Sequence, residues 1–289
     1  MMNPQSSTQS PTPPTPGSAD EPERIRKVLV PPQDRPAPAS ALTACLAYGW
    51  RALLKIKHLP EQLIDVTIFP VMMTLMFTFI FGGAIGGSVD NYVQFLIPGI
   101  FVQTLIMITM YTGLTLNRDF SKGVFDRFRS LPVWRPAQLV GALLGDQIRY
   151  LLAGTIILTV GFFLGFRPEG GITGVIAAFM LLLVFSFSLS WVWTAVSLAV
   201  RTEQAAMGVS MFVMMPLVFA SNIFVDPSTM PTWLQRAVDV NPVSIVVTTI
   251  REMMAGTYSL SSLGLVALCC GVLIMIFGPV SMFMYNRKS

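Results

Sequence analysis

Residues Ile172 to Val200 read ITGVIAAFMLLLVFSFSLSWVWTAVSLAV, a run without one Asp, Glu, Lys or Arg. A helix needs about 20 predominantly apolar residues to cross the hydrocarbon core of a bilayer, and this stretch alone exceeds that. Strands of a membrane barrel would alternate apolar and polar side chains, whereas Met180 to Phe185 and, earlier, Ile156 to Leu164 are almost continuously apolar. Only internally hydrogen-bonded helices fit such runs. Five further runs lie near Val66 to Gly82, Tyr92 to Leu114, Tyr150 to Phe166, Ala205 to Val225 and Leu263 to Met284. The expected fold is an all-α polytopic membrane protein with six transmembrane helices over residues 61–289.

Composition agrees: 53% of residues are hydrophobic against 12% charged, and the mean hydropathy is +0.64, values far from those of a soluble domain. The pI near 9.1 resembles a nucleic-acid signal, but the basic residues sit beside the spans and need no nucleic-acid partner. They set orientation instead. Arg24, Arg26, Lys27, Arg35, Arg51, Lys55 and Lys57 precede the first span, and Arg118, Lys122, Arg127, Arg129 and Arg135 fall in the second loop, so both regions are expected in the cytoplasm. The first loop, Gly83 to Asn91, has no Lys or Arg and the third has only Arg167; both are expected outside. Arg287 and Lys288 return the C-terminus to the cytoplasm, giving a multi-pass plasma-membrane protein with both termini inside. Asn241 to Ile250 is apolar but too short to cross, and reads as re-entrant or as lying at the outer surface.

Residues 1–40 are rich in Pro, Ser, Thr and Gln and are expected to form a disordered cytoplasmic tail. No charged-then-apolar leader with a cleavage site opens the chain, so insertion is expected through its own helices. Within 41–60, Leu46, Trp50, Leu53 and Leu54 fall on one side and Arg51, Lys55 and Lys57 elsewhere, the pattern of an amphipathic helix in the cytoplasmic interface, ended by Pro60.

Catalytic and metal chemistry has little to stand on. The only histidine is His58 and the cysteines are Cys45, Cys269 and Cys270, without the spacing of a zinc site. No phosphate-cradling G-x-x-x-x-G-K-[ST] occurs, so the chain is expected to bind no cofactor and to be no enzyme.

Two polar stretches stand out. Asn117 to Pro136 reads NRDFSKGVFDRFRSLPVWRP, where Val124, Phe125 and Phe128 share a helical face and Asp126, Arg127 and Arg129 point elsewhere. It is either a solvated loop resting on lipid or a docking helix for a cytoplasmic partner, since aromatics flanked by Arg are enriched at interfaces. The second, Phe219 to Gly256, reads FASNIFVDPSTMPTWLQRAVDVNPVSIVVTTIREMMAG.

The pattern F-x-S-x-x-F-x-x-P-x-x-M-P-x-W-L-Q, then Asn241-Pro242, Arg251 and Gly256, together with K-G-V-F-D-R-F-R-S-L-P-V from Lys122, resembles the ABC-2 type permease family. Within it the chain is most similar to the membrane subunits of daunorubicin-resistance-type exporters, over roughly Trp50 to Tyr285. Asn222 stands where that pattern leads one to expect Gly or another small residue. The resemblance implies a permease that moves an amphiphilic or hydrophobic molecule, a drug, antibiotic or lipid-like compound, out of the cytoplasm or inner leaflet. It implies a second permease copy or paralogue and two copies of a separate cytoplasmic ATP-binding subunit, which hold the ATP and Mg. It makes 41–60 a connecting helix and about 120–131 a coupling helix, with Lys122, Gly123, Phe125, Asp126, Arg127, Phe128 and Arg129 toward the ATPase. It makes about 228–256 short helices capping the outer exit, with Pro231, Trp233, Asn241, Pro242 and Arg251 as an outer gate.

Asp146 and Arg149 are three apart and can pair; with a span starting near Tyr150 they lie at the cytoplasmic boundary. Asp65 is either structural or substrate-contacting. The competing class, an ATP-independent secondary transporter or channel, calls for buried carboxylates near mid-membrane, and the most apolar spans are expected to have none at their centres. Met72, Met73, Met76, Met107, Met110, Met211, Met214 and Met215 are expected to offer an adaptable apolar interior.

Overall fold

The computed structural model describes residues 60–83, 87–121 and 137–288. These form α1 (Pro60–Met76), which continues through a π-helical turn over Phe77–Phe81, then α2 (Val89–Ser121), α3 (Ala137–Phe163), α4 (Gly171–Ala199), α5 (Glu203–Phe219), a 3-10 turn (Pro227–Thr229), α6 (Thr232–Val240), α7 (Pro242–Met254) and α8 (Leu260–Lys288). The tail, the expected connecting helix up to residue 59 and the segment Lys122 to Pro136 lie outside the described residues. So does the side chain of Asp65, whose backbone belongs to α1.

Among the described residues, four helices are long and apolar enough to cross a bilayer: α2, α3, α4 and α8, with apolar stretches Val89–Asp119, Leu139–Phe163, Gly171–Ala199 and Leu260–Tyr285. The other two expected spans are shorter apolar helices, Ile68–Phe81 and Glu203–Phe219. At about 1.5 Å per residue, the 17 residues of α5 reach only about 25 Å.

The bundle is built around α2. Of its apolar stretch 83% is buried inside the protein, against 11% for α8, and α2 packs on α1, α3, α4, α5 and α7. Its approach to α4 is close because Gly113 has no side chain. A Cβ there would meet Trp193 Cβ and its carbonyl oxygen at 2.8 Å. Trp193 Nε1 donates to Thr109 Oγ1 at 2.9 Å and locks the two helices in register. The hydroxyls of α4 do not disturb its burial: Ser190 donates to the Ser186 carbonyl and Thr194 to that of Ser190, returning polar groups to their own helix.

Large apolar side chains left uncovered form helical stripes, such as Ile172, Ile176, Met180 and Val184 on α4, and Ile68, Phe69, Met72, Met76, Phe79 and Ile80 on α1 and its π turn. Patches of this kind belong in lipid or against another membrane helix. The methionines therefore do not form one lining: Met110 and Met214 are buried, while Met72, Met76 and Met215 face outward. Hydropathy cannot distinguish these cases, since both environments are apolar.

Candidate functional site

The expected outer segment folds as a helical hairpin, α6 and α7, inserted beside α2, α4 and α8. Pro242 occupies the first turn of α7, where its missing N–H costs nothing. Asn241 caps that helix by accepting from Val243 N at 2.9 Å. Its amide Nδ2 donates to the carbonyls of Leu217 and Ala220 at 2.8 and 2.7 Å, the carbonyls that the end of α5 would otherwise leave without partners. One side chain thus starts α7 and finishes α5.

Arg251 secures the far side. Its Nε and Nη2 donate to the Phe95 carbonyl at 3.2 and 3.0 Å, and Nη2 also to the Ile223 carbonyl at 3.1 Å. The guanidinium lies 3.6 Å from the Phe95 ring centroid, a cation–π contact. Tyr92 Oη donates to the Phe224 carbonyl at 3.1 Å, and Phe77 stacks on Phe224 at 4.5 Å. Gly99 lets the loop come so close: a Cβ there would sit 2.5 Å from the Ile223 carbonyl oxygen. Residues 221–225 are therefore stitched to one end of α2. Beyond the loop, Asp226 accepts from Ser228 N–H at 2.8 Å, and the Ser228 backbone and side-chain hydrogen bonds hold its carboxyl below the usual carboxylate range.

Of the five expected gate residues, Asn241, Pro242 and Arg251 belong to α7, with Asn241 and Pro242 at its start and Arg251 in its last turns. Pro231 and Trp233 stand apart on the exposed surface at the start of α6, Trp233 being 73% exposed. Phe95, Gly99, Tyr92 and Ile223 complete the unit and escaped the sequence reading. They lie inside apolar runs, where nothing separates a carbonyl that receives an arginine from one that serves the helix alone.

The other end of α2 is fixed as firmly. Asn117 Nδ2 donates to the Ser197 carbonyl at 2.7 Å. Arg118 pairs bidentately with Glu203, at the start of α5, where Thr202 caps the helix by accepting from Ala205 N. Leu116, Leu139, Leu198 and Tyr285 close a small apolar cluster that joins the ends of α2, α4 and α8 to the beginning of α3. α2 itself continues to Ser121, two turns beyond the expected end at Leu114. Lys122, Gly123, Phe125, Asp126, Arg127, Phe128 and Arg129 lie outside the described residues, between Ser121 of α2 and Ala137 of α3.

Asp146 and Arg149 require a correction. They are not at the boundary of a span beginning near Tyr150, because α3 starts at Ala137 and its apolar stretch is Leu139–Phe163. The pair lies near the middle of the helix, so the expectation of charge-free helix centres also fails. Interruption of the hydropathy by Gly145, Asp146, Gln147 and Arg149 concealed the first turns. Both side chains are buried, and Arg149 Nη2 donates to Asp146 Oδ1 at 2.6 Å. Nη2 also reaches Thr112 Oγ1 at 3.5 Å. The chain continues from Thr112 to Tyr150 Oη (2.7 Å) and to Ser190 Oγ (3.0 Å), linking α2, α3 and α4. Mutual neutralisation within such a network is what permits two charged side chains to be buried between helices. Among the described residues no cluster of His, Cys, Asp and Glu could hold a metal ion.

Residues 43–255 fit the model of the ABC-2 type transporter. The chain belongs to the ABC-2 type transporter family. This ABC-2 chain is 47% identical, over 256 residues, to the daunorubicin resistance ABC transporter permease protein DrrB1 of Streptomyces coeruleorubidus, covering 89% of this chain and 90% of that protein. It is 23% identical over 228 residues to a probable doxorubicin resistance ABC transporter permease protein, DrrC, of Mycobacterium tuberculosis, covering 78% and 82% respectively. A probable multidrug ABC transporter permease of Escherichia coli, YbhR, matches at 25% over 155 residues, 53% of this chain and 41% of the relative.

Proposed function

We propose that this ABC-2 permease is the membrane subunit of an ATP-driven exporter of amphiphilic drug-like molecules. It crosses the plasma membrane six times with both termini in the cytoplasm, works with a second permease copy or paralogue, and takes its power from two copies of a cytoplasmic ATP-binding subunit. In this reading α1 and α5 complete the six spans, and the α6–α7 hairpin closes the outer side of the path.

The observation that carries the proposal is the clamping of α2 at both ends. Arg251, Tyr92 and Gly99 join one end to the hairpin, and Asn117, Arg118 and Leu116 join the other to α3, α4, α5 and α8. Interiors packed this closely move as bodies rather than deform continuously. Force applied at segment 122–136 would therefore reach the hairpin about 50 Å away, the length of a helix of 33 residues. Phe125 and Phe128 would insert into the ATP-binding subunit, with Lys122, Gly123, Asp126, Arg127 and Arg129 facing the same contact. ATP and Mg sit on the partner, so this chain does mechanical work and no bond chemistry.

The ATP-independent alternative draws support from the mid-helix carboxylate of Asp146, but that group is occupied by Arg149, whereas a coupling site must load and release its ion. Everted vesicles containing the chain and its ATP-binding subunit should accumulate daunorubicin when given MgATP. A partner with an inactivated ATP site should abolish uptake. Undiminished uptake, driven by a proton gradient without ATP, would overturn the proposal in favour of the alternative.

A further inference from the structure

Along α1 the buried positions are Pro70, Thr74, Thr78 and Gly82, while Met72, Met76, Phe79, Ile80 and Phe81 are exposed. The buried stripe is the side on which α1 meets α2 and α3. An α-helix turns about 100° per residue, so each step of four overshoots a full turn by about 40° and three steps drift by about 120°. The stripe stays buried because the π turn over Phe77–Phe81 holds one extra residue, which takes back about 100°. At the end of the turn Gly82 touches the start of α2: a Cβ there would meet Val89 Cα and Cγ2 at 3.3 Å. Pro70, inside the helix, has no N–H to give to the preceding turn and leaves a second point at which α1 can bend. Within the π turn the hydroxyl of Thr78 is buried without a partner. Thr74, by contrast, donates to the Pro70 carbonyl at 2.8 Å, the bond that a helical threonine makes to its own backbone.

We propose that this end of α1 is a two-state register switch, packed on α2 while the π turn is present and swung away from α2, about Pro70, when the turn closes to a regular α-helix. Taking up the extra residue gives each later residue the direction now held by its successor, so Phe81 replaces Gly82 in the stripe. A phenylalanine ring has no room where even a Cβ stands 3.3 Å from Val89, and the end of the helix must leave α2. The same movement draws Phe77 off Phe224, on which it stacks at 4.5 Å in the packed form. The swung form regains the α-helical hydrogen-bond ladder and gives the Thr78 hydroxyl the Thr74 carbonyl. The packed form keeps the ring stack and the burial of Gly82. Each form has contacts that the other lacks, which is what a two-state element requires. Phe224 belongs to the loop that Arg251 and Tyr92 stitch to α2, so the switch makes or breaks the contact of α1 with that unit while the unit itself stays closed. It needs neither ATP nor a transported molecule.

The test is double electron–electron resonance on the full chain, one copy per nanodisc, with Cys45→Ala, Cys269→Ala and Cys270→Ala as background. Nitroxide labels go on Gly83→Cys, just past the π turn, and on Glu169→Cys, in the exposed loop between α3 and α4. Two distance populations are expected. Deleting Phe79 removes the extra residue but keeps Gly82 facing α2, and should leave only the packed population. Thr78→Val keeps the side-chain shape and removes the hydroxyl whose bond forms only in the swung form, so the ratio of swung to packed should fall at least threefold. Thr78→Val decides the matter where the deletion variant fails to fold. A single population before either change, or a ratio unmoved by Thr78→Val, would overturn the proposal. MgATP-driven daunorubicin uptake is measured separately and tests the export reading alone, so either can fail while the other stands.

Discussion

Replacing Arg251 by Met should release the α6–α7 hairpin from α2 while leaving the bundle folded. The guanidinium makes three N–H···O contacts to two carbonyls, those of Phe95 and Ile223. Hydrogen bonds involving a charged group contribute about 1.5–3 kcal/mol. Counting one per carbonyl gives about 3–6 kcal/mol, and the contact with the Phe95 ring adds about 0.5–1 kcal/mol. The Phe95 carbonyl keeps its place in the helix, so its share is the smaller, and Met restores most of the lost packing. A net loss of about 3 kcal/mol raises local opening roughly 150-fold. Hydrogen exchange read by mass spectrometry should show this in peptides from Pro242–Met254, with Ile100–Ile108 of α2 unchanged. Arg251→Lys keeps the charge but not the fork or the ring contact, and should give an intermediate increase of about tenfold. If the Met variant protects α7 as well as the native chain does, Arg251 does not hold the hairpin and the clamp argument fails at this end.

Arg149→Met should leave the Asp146 carboxylate buried without its partner and cost about 3–5 kcal/mol, whereas Asp146→Asn/Arg149→Met should recover much of the loss; thermal unfolding of the detergent-purified chain measures both, and additive losses would contradict the pairing. Phe125→Ala/Phe128→Ala should weaken association with the ATP-binding subunit by about 2–4 kcal/mol, roughly 30-fold or more, without lowering the amount of permease in the membrane; full association and transport would leave these aromatics on lipid. A cysteine placed at Ser228 should react with a membrane-impermeant thiol reagent added outside intact cells and one at Ser121 should not; the opposite labelling would invert the proposed orientation.

Among the described residues, hydropathy located the four long apolar helices and two shorter ones, because exclusion of charge over about 20 residues is a one-dimensional property. It mistook the extent of α3, where a neutralised pair interrupts the signal, and it ended α2 two turns early, where Asn117 and Arg118 find partners on other helices. The α6–α7 hairpin was legible as a segment too short to cross, and Asn241-Pro242 as the place where it turns. That Trp233 would face away while Arg251 turned inward was not legible, since both residues are at home at a membrane interface.

The sequence by itself determined that the chain is a helical membrane protein of the ABC-2 type, because apolar run length and the order of loop motifs survive without knowledge of contacts. Tertiary structure decided which polar groups meet: Arg251 with the Phe95 and Ile223 carbonyls, Asp146 and Arg149 with Thr112, Tyr150 and Ser190 across three helices, and Asn222 with Thr248. Partners such as Arg251 and Phe95 stand 156 positions apart in the chain. No local pattern encodes such a meeting, because it depends on how close two helix backbones come, and here that is set by the absence of a side chain at Gly99 and Gly113.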